Sequence, residues 1–276
     1  MDRANGVKGS IQGALPPAEQ KAVYVRDMFR RIARRYDLMN RVMTVGRDGA
    51  WRRYTVSQLG LAVPPANAQA QPTASRLVLD VATGTGDLAF ETLDQCPTAR
   101  VVGLDFVPEM LVFAQEKARA MGGESGEAEA VEGGPQLSTD SLTFLAGDAF
   151  QIPFPTGTFD AVVTGFALRN VTDIPAAFSE MARVTRPGGR IACLEIAKPQ
   201  IPLFKRAFNL YFYRLGPLLG GWITGERSAY TYLPHSLSAF LNPDEIATVM
   251  GRTGWRDVGY KRLMLGTVAV HVGTRS

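Results

Sequence analysis

The sequence predicts an α/β protein built on a doubly wound, mostly parallel sheet. Three observations carry that prediction. Five short β-rich runs follow one another between Leu77 and Ala197, the first two separated by a segment of helical period. Those two runs are nearly continuous in apolar character, as parallel strands covered on both faces must be. A glycine-rich turn stands directly after the first run, where an open α/β sheet receives its ligands.

In chain order, residues 1–16 are Gly, Ala, Pro and polar, which predicts a flexible tail ahead of a single domain spanning 17–276. Within 17–60 the apolar positions Val23, Met28, Ile32, Tyr36 and Met39 recur at helical spacing, and Trp51 to Leu59 continues in that style, giving a helical N-terminal extension. The Pro/Ala/Gln stretch 62–75 reads as a linker. The strand runs are LVLDVA (77–82), ARVVGLD (99–105), LTFLAGD (142–148), FDAVVTGF (159–166) and RIACLEIA (190–197). Residues 122–140 are acidic and Gly-rich with no periodic apolar face, which predicts a disordered surface insertion. Residues 202–253 read as a helical region over the substrate side. Trp255 to Val272 reads as two strands joined at Leu265-Gly266, a hairpin that must include an antiparallel strand.

Composition narrows the function. A chain of 276 residues, 46% apolar and 20% charged, can bury one substantial core. No apolar run approaches the roughly 20 residues that span a bilayer, and MDRANGVKGS lacks the apolar block of a signal peptide, so a cytoplasmic location is expected. Cys96 and Cys193 form no CxxC pair, and the two histidines, His235 and His271, lie far apart, so no metal site and no Ser/His/Asp triad is expected. The net charge is only +4, but nine arginines fall between Arg26 and Arg53. Such a run is either a solvated helix face or a contact for an anionic cofactor or membrane surface. No nucleic-acid motif accompanies it, so nucleic acid is not an expected partner.

The segment from Asp80 through Val81, Ala82, Thr83, Gly84, Thr85 and Gly86 to Asp87 closes the first strand and opens a helix, and its small residues let a ligand approach the backbone. The dinucleotide fingerprint GxGxxG is not met, because Ala89 stands at the third glycine position. Asp105 ends the second strand, where a carboxylate can accept from both ribose hydroxyls; the alternative is a helix N-cap before Pro108. Asp148 ends the third, within reach of an adenine amino group or acting as a strand-end cap. Acidic residues closing three successive strands around a glycine-rich turn, with Arg186-Pro187-Gly188-Gly189-Arg190 before the fifth, resemble the class I methyltransferase pattern.

Further strings narrow the likeness. Tyr36-Asp37-Leu38-Met39-Asn40 followed by Trp51, the pair Arg169-Asn170 inside FALRNV, and RVTRPGGRIACLEIAKP resemble the ubiquinone/menaquinone biosynthesis C-methyltransferases, which include the demethylmenaquinone methyltransferases, over Gln20 to Arg275. There are departures: Asp48 stands where the family usually has histidine, and Thr44 and Ala197 where it usually has serine. The resemblance implies a class I, Rossmann-like fold and S-adenosylmethionine as cofactor. It implies carbon methylation of a prenylated hydroquinone ring, demethylmenaquinol to menaquinol. It places Asp80, Gly84, Thr85, Gly86, Asp105, Asp148, Ala149 and Gly165 toward the cofactor, and Tyr36, Arg169 and Asn170 toward the quinol.

Carbon methylation needs an electron-rich ring carbon, which loss of a phenolic proton supplies. An arginine suits the stabilisation of the phenolate but not the role of resting base, since its pKa lies above about 12. The proton then leaves through water or a carboxylate such as Asp37 or Asp148. A prenyl tail also calls for an apolar mouth. The stretch containing Phe204, Phe208, Tyr211, Phe212, Leu219 and Trp222, interleaved with Lys205, Arg206 and Arg214, has the composition of a lid or interfacial helix as well as of ordinary core. The partners expected are thus a prenylated quinol and peripheral contact with the inner face of the plasma membrane, with homodimer formation open. Two rival classes are a nicotinamide dehydrogenase, which would favour GxGxxG and a parallel sixth strand, and a non-catalytic adenosylmethionine binder, which would lack Arg169-Asn170.

Overall fold

The computed structural model describes residues 20–61, 75–122, 138–139, 141–216, 218 and 227–276. The tail 1–16, nearly all of the linker, the centre of the 122–140 segment, and Leu219 and Trp222 of the aromatic stretch lie outside the described residues. The eight strands are β1 (Leu77–Val81), β2 (Arg100–Asp105), β3 (Ser138–Thr139), β4 (Leu142–Ala146), β5 (Phe159–Gly165), β6 (Thr185–Ile196), β7 (Trp255–Leu263) and β8 (Val268–Arg275). They form one sheet in the order β3-β4-β2-β1-β5-β6-β8-β7. From β4 to β6 every pairing is parallel; β8 runs antiparallel between β6 and β7. The expected doubly wound class is therefore observed, and the strand order reverses between β1 and β5, the place where such sheets bind ligands.

Alternation along the central strands loads both faces. Val78 of β1, Ala161 and Val163 of β5 and Ala192 of β6 pack on one side, against α3 (Asp48–Ser57), α4 (Asp87–Gln95) and α5 (Pro108–Gly122). Leu79, Val81, Val162, Ile191 and Cys193 point to the other, against Phe178 and Met181 of α6 (Ile174–Val184). The N-terminal extension forms α1 (Lys21–Ile32) and α2 (Tyr36–Met43), joined by one tight turn. Val25, Met28 and Ile32 recur at helical spacing and are buried with Met39 and Tyr232, the latter on α8 (Arg227–Ser238). Before it, α7 (Pro202–Leu210) passes into a turn of π-helix at Tyr211–Leu215. The last helix, α9 (Pro243–Arg252), opens on a capping box made by Asn242 and Glu245.

Two local readings change. β6 begins at Thr185, five residues before the expected strand: Thr185 pairs with Phe159 and Arg190 with Ala161, so Arg186 to Gly189 bulge out between them. Gly189 is required there, since a Cβ would lie 2.7 Å from the Asp160 carbonyl. The ends of the 122–140 segment are ordered, because α5 continues to Gly122 and Ser138–Thr139 pair antiparallel with β4. The aromatic stripe of the 202–253 region divides between the two readings given for it. Phe212 is buried in the core and stacks on Phe208.

Candidate active site

Two cavities open at the carboxyl ends of the strands. The smaller, about 140 Å³, lies over β1, β2, β4 and β5 and is lined by Gly84, Asp105, Asp148, Ala149 and Gly165 together with apolar Leu104, Val107, Met110 and Phe150. The chain reaches it through a turn that only glycine adopts easily, with φ +59° at Gly84 and +85° at Gly86. Asp105 organises this turn: one carboxylate oxygen accepts the Gly84 N–H at 2.7 Å and the other the Val107 N–H at 2.8 Å. Burial pushes its pKa up to about 6, against the pull of those N–H donors. Asp148 accepts the Phe150 N–H at 2.9 Å. A carboxylate with spare lone pairs, a second acid and apolar walls fit a nucleoside with its ribose on Asp105.

The other sequence-assigned cofactor residues, Asp80, Thr85 and Gly86, do not line this cavity. Asp80 is fully buried and accepts the Thr83 hydroxyl at 2.6 Å; burial raises its pKa to about 7. Its other oxygen has no hydrogen-bond partner among the described residues. Gly86 caps α4, and the Thr85 hydroxyl donates to Asp37 at 2.6 Å.

The larger cavity, about 350 Å³, is walled by Met28, Ile32, Met39, Trp51, Phe204, Phe208 and other apolar side chains. Tyr36, Phe166 and Asn170 line both cavities and mark where they meet. Among its described lining residues, Arg169 is the sole cation. Arg169 is buried and its terminal N–H donates to the Phe166 carbonyl at 2.5 Å, which a left-handed backbone at Phe166 (φ +58°) turns toward it. Glu195 on β6 stands 3.7 Å from the same nitrogen. Asn170 receives the Tyr232 hydroxyl on its side-chain oxygen at 3.4 Å. Burial raises the Tyr36 pKa, opposed by a hydrogen bond with Asn40 and by the charge of Arg169.

The sequence reading gave no role to Glu195, Tyr232 or Lys117. Glu195 is fully buried: one oxygen accepts the Leu168 N–H at 2.6 Å, and burial lifts its pKa to about 7, opposed by Arg169. Its signal was a carboxylate inside the otherwise apolar run IACLEIA. Tyr232 and Lys117 had no such signal, since helical period alone does not say what a face meets. The two departures Thr44 and Asp48 meet each other: the Thr44 hydroxyl donates to Asp48 at 2.9 Å, and Asp48 pairs with Arg52 at 2.8 Å.

The sheet order, the carboxylates at or near the ends of β1, β2 and β4 and the cavity over the glycine turn are those of an S-adenosylmethionine-dependent methyltransferase. A solved methyltransferase of Thermotoga maritima shares the fold, with a TM-score of 0.56 at 13% identity, 91% of this chain and 100% of that one being covered. More particularly, residues 17–275 match the ubiE/COQ5 methyltransferase family, and the chain belongs to it. It is 44% identical to a demethylmenaquinone methyltransferase of Roseiflexus castenholzii over 95% of this chain and 97% of the relative. To a ubiquinone/menaquinone biosynthesis C-methyltransferase of Geobacter sp. strain M21 it is 37% identical over 93% and 98%.

Proposed function

We propose that the protein transfers a methyl group from S-adenosylmethionine to a ring carbon of a prenylated hydroquinone, converting demethylmenaquinol to menaquinol. The observation that carries the reading is the meeting of a cavity lined by Asp105, Asp148 and the glycine turn with a larger apolar one that holds the buried cation Arg169 next to Asn170, which lines both. An apolar cavity of about 350 Å³ suits a fused ring and the first units of a prenyl chain.

The cofactor, when bound, supplies an electrophilic methyl on sulfonium. Asp105 would hold the ribose, and the glycine turn would let the rest approach the backbone. Tyr36 and Asn170, lining both cavities, are placed to orient the quinol toward the methyl donor. Arg169 meets the hydroxyl ortho to the ring carbon that is methylated and stabilises the phenolate as its proton passes to water or to Asp148 of the adjoining cavity, and that carbon, once methylated, sheds its own proton by the same route to restore the aromatic ring. The apolar walls exclude water that would otherwise solvate the anion.

A peripheral membrane contact follows for the same substrate. No helix among the described residues is long and apolar enough to cross a bilayer. Val45 and Met264 line the quinol cavity yet are 74% and 41% exposed, so its mouth has an apolar rim. Leu203, Leu210 and Leu215 are exposed on α7 and the π turn, whose Phe204, Phe208 and Tyr211 line the same cavity, and Lys205 and Arg206 stand among them.

Cells lacking the protein test the reaction directly. Their quinone pool should accumulate the demethyl species by mass spectrometry, and a plasmid carrying the parent, but not Arg169→Ala, should restore the methylated one. An unchanged pool in the deletion strain would contradict the assignment.

A further inference from the structure

One side chain outside both cavities ties together the elements that form them. Lys117 on α5 directs its ammonium at Asp37 of α2 (2.8 Å), at Asp87, the first residue of α4 (2.6 Å), and at the Thr85 hydroxyl (3.1 Å). An ammonium has three N–H donors, and three elements use them. Thr85 closes the junction by donating to the other Asp37 oxygen at 2.6 Å. The chain of contacts then continues outward, Asp87 to Arg52 at 2.8 Å and Arg52 to Asp48 at 2.8 Å.

The neighbours of these groups give the junction its meaning. Asp37 follows Tyr36, which lines both cavities, and Thr85 follows Gly84, which lines the cofactor cavity. The link from Asp37 to Thr85 therefore sets the tyrosine against the cofactor turn. Asp37 and Asp87 approach the same ammonium, so they stand close enough to repel strongly without it. Of the two, Asp87 keeps Arg52, whereas among the described residues Asp37 retains the Thr85 hydroxyl alone. An exposed ion pair of ordinary kind contributes little, but this ammonium is shared among three elements and also lies over the Phe90 ring.

We propose that Lys117 is a positioning residue of the transfer reaction: it holds Asp37 on Thr85 and so fixes Tyr36 between the quinol and the cofactor. This rests on the reading of Tyr36 given above. Without Lys117, Asp37 moves away from Asp87 and carries the start of α2 with it. The loss then falls mainly on the chemical step, because the walls supplied by Met28 and Ile32 of α1, Trp51 of α3 and Phe204 and Phe208 of α7 stay in place while Tyr36 is displaced.

The test is a cycle of four full-length proteins: parent, Lys117→Met, Tyr36→Phe and the double variant. Turnover is measured with a soluble short-chain demethylnaphthoquinol, with KM for the quinol and folding by circular dichroism. Methionine keeps the length of the stem and removes all three donors. Lys117→Met should lower kcat on the order of ten- to a hundredfold with little change in KM. Tyr36→Phe should cost much less in the Lys117→Met background than in the parent, since the tyrosine is already displaced there. Equal costs in both backgrounds, or parental turnover by Lys117→Met, would overturn the proposal. Parental turnover by Tyr36→Phe alone would instead remove the role of Tyr36. Should Lys117→Met fail to fold, Lys117→Gln, which removes the ammonium charge but keeps a polar head, completes the same cycle with the same outcomes.

Discussion

The Arg169 guanidinium donates to a backbone carbonyl at 2.5 Å, while its counter-ion Glu195 stays 3.7 Å away, and the Arg169 Nε and the Glu195 Oε2 find no hydrogen-bond partner among the described residues. Its charge is thus only partly neutralised, as stabilisation of a transient phenolate requires. Arg169→Ala should lower kcat by about 100-fold or more while calorimetry finds cofactor affinity unchanged, because the lost contact forms on the way to the transition state. Lysine should rescue only in part, lacking the planar fork. Activity lost through cofactor affinity alone would remove the role. Glu195 makes a separate prediction. A carboxyl whose folded pKa is raised to about 7 gives stability that is complete below its unfolded pKa, about 4.3, and lost as pH rises through 7. Glutamine does not titrate, so Glu195→Gln should gain on the parent between pH 5 and pH 8.5 by up to about 3 kcal/mol in urea unfolding. Parallel stability curves would contradict this. At this scale the sequence was informative where a polar residue ended an apolar strand, as at Asp105, or followed one closely, as at Asp148 and Arg169, two and four residues past β4 and β5. It was silent on Tyr232 and Lys117, whose helices carry polar residues on every turn.

Among the elements, the strands were legible because burial on both faces leaves a continuous apolar run. The early start of β6 was not, because Pro187 and the glycines that follow carry turn chemistry even when they form a bulge inside a strand. The aromatic helix α7 shows the same limit in another form. Composition marked it as apolar and basic, but only packing separates Phe212, which is buried, from Leu203, which is 79% exposed. The exposed residues therefore carry the membrane prediction. Replacing Leu203 and Leu210 by serine should reduce co-sedimentation with vesicles containing phosphatidylglycerol and leave turnover of a soluble quinol near parental. Parental co-sedimentation by the variant would assign the rim another use.

Across the whole molecule, the reversal of strand order at β1 and β5 places a polar nucleoside site at the sheet edge, and the N-terminal helices with α7 and α8 roof an apolar chamber beside it. Sheet and glycine turn alone would serve many methyl acceptors. What selects a hydrophobic ring is the roof, whose parts come from opposite ends of the chain and meet at Arg169. The most direct measurement combines the purified protein, S-adenosylmethionine with a deuterated methyl group, and a reduced short-chain demethylnaphthoquinol, with the product analysed by mass spectrometry and fragmentation. The deuterated methyl should appear on the ring carbon next to a hydroxyl, and only when the quinol is reduced. Methyl transfer to oxygen, equal transfer to the oxidised quinone, or no transfer at all by the folded, cofactor-binding protein would contradict the account.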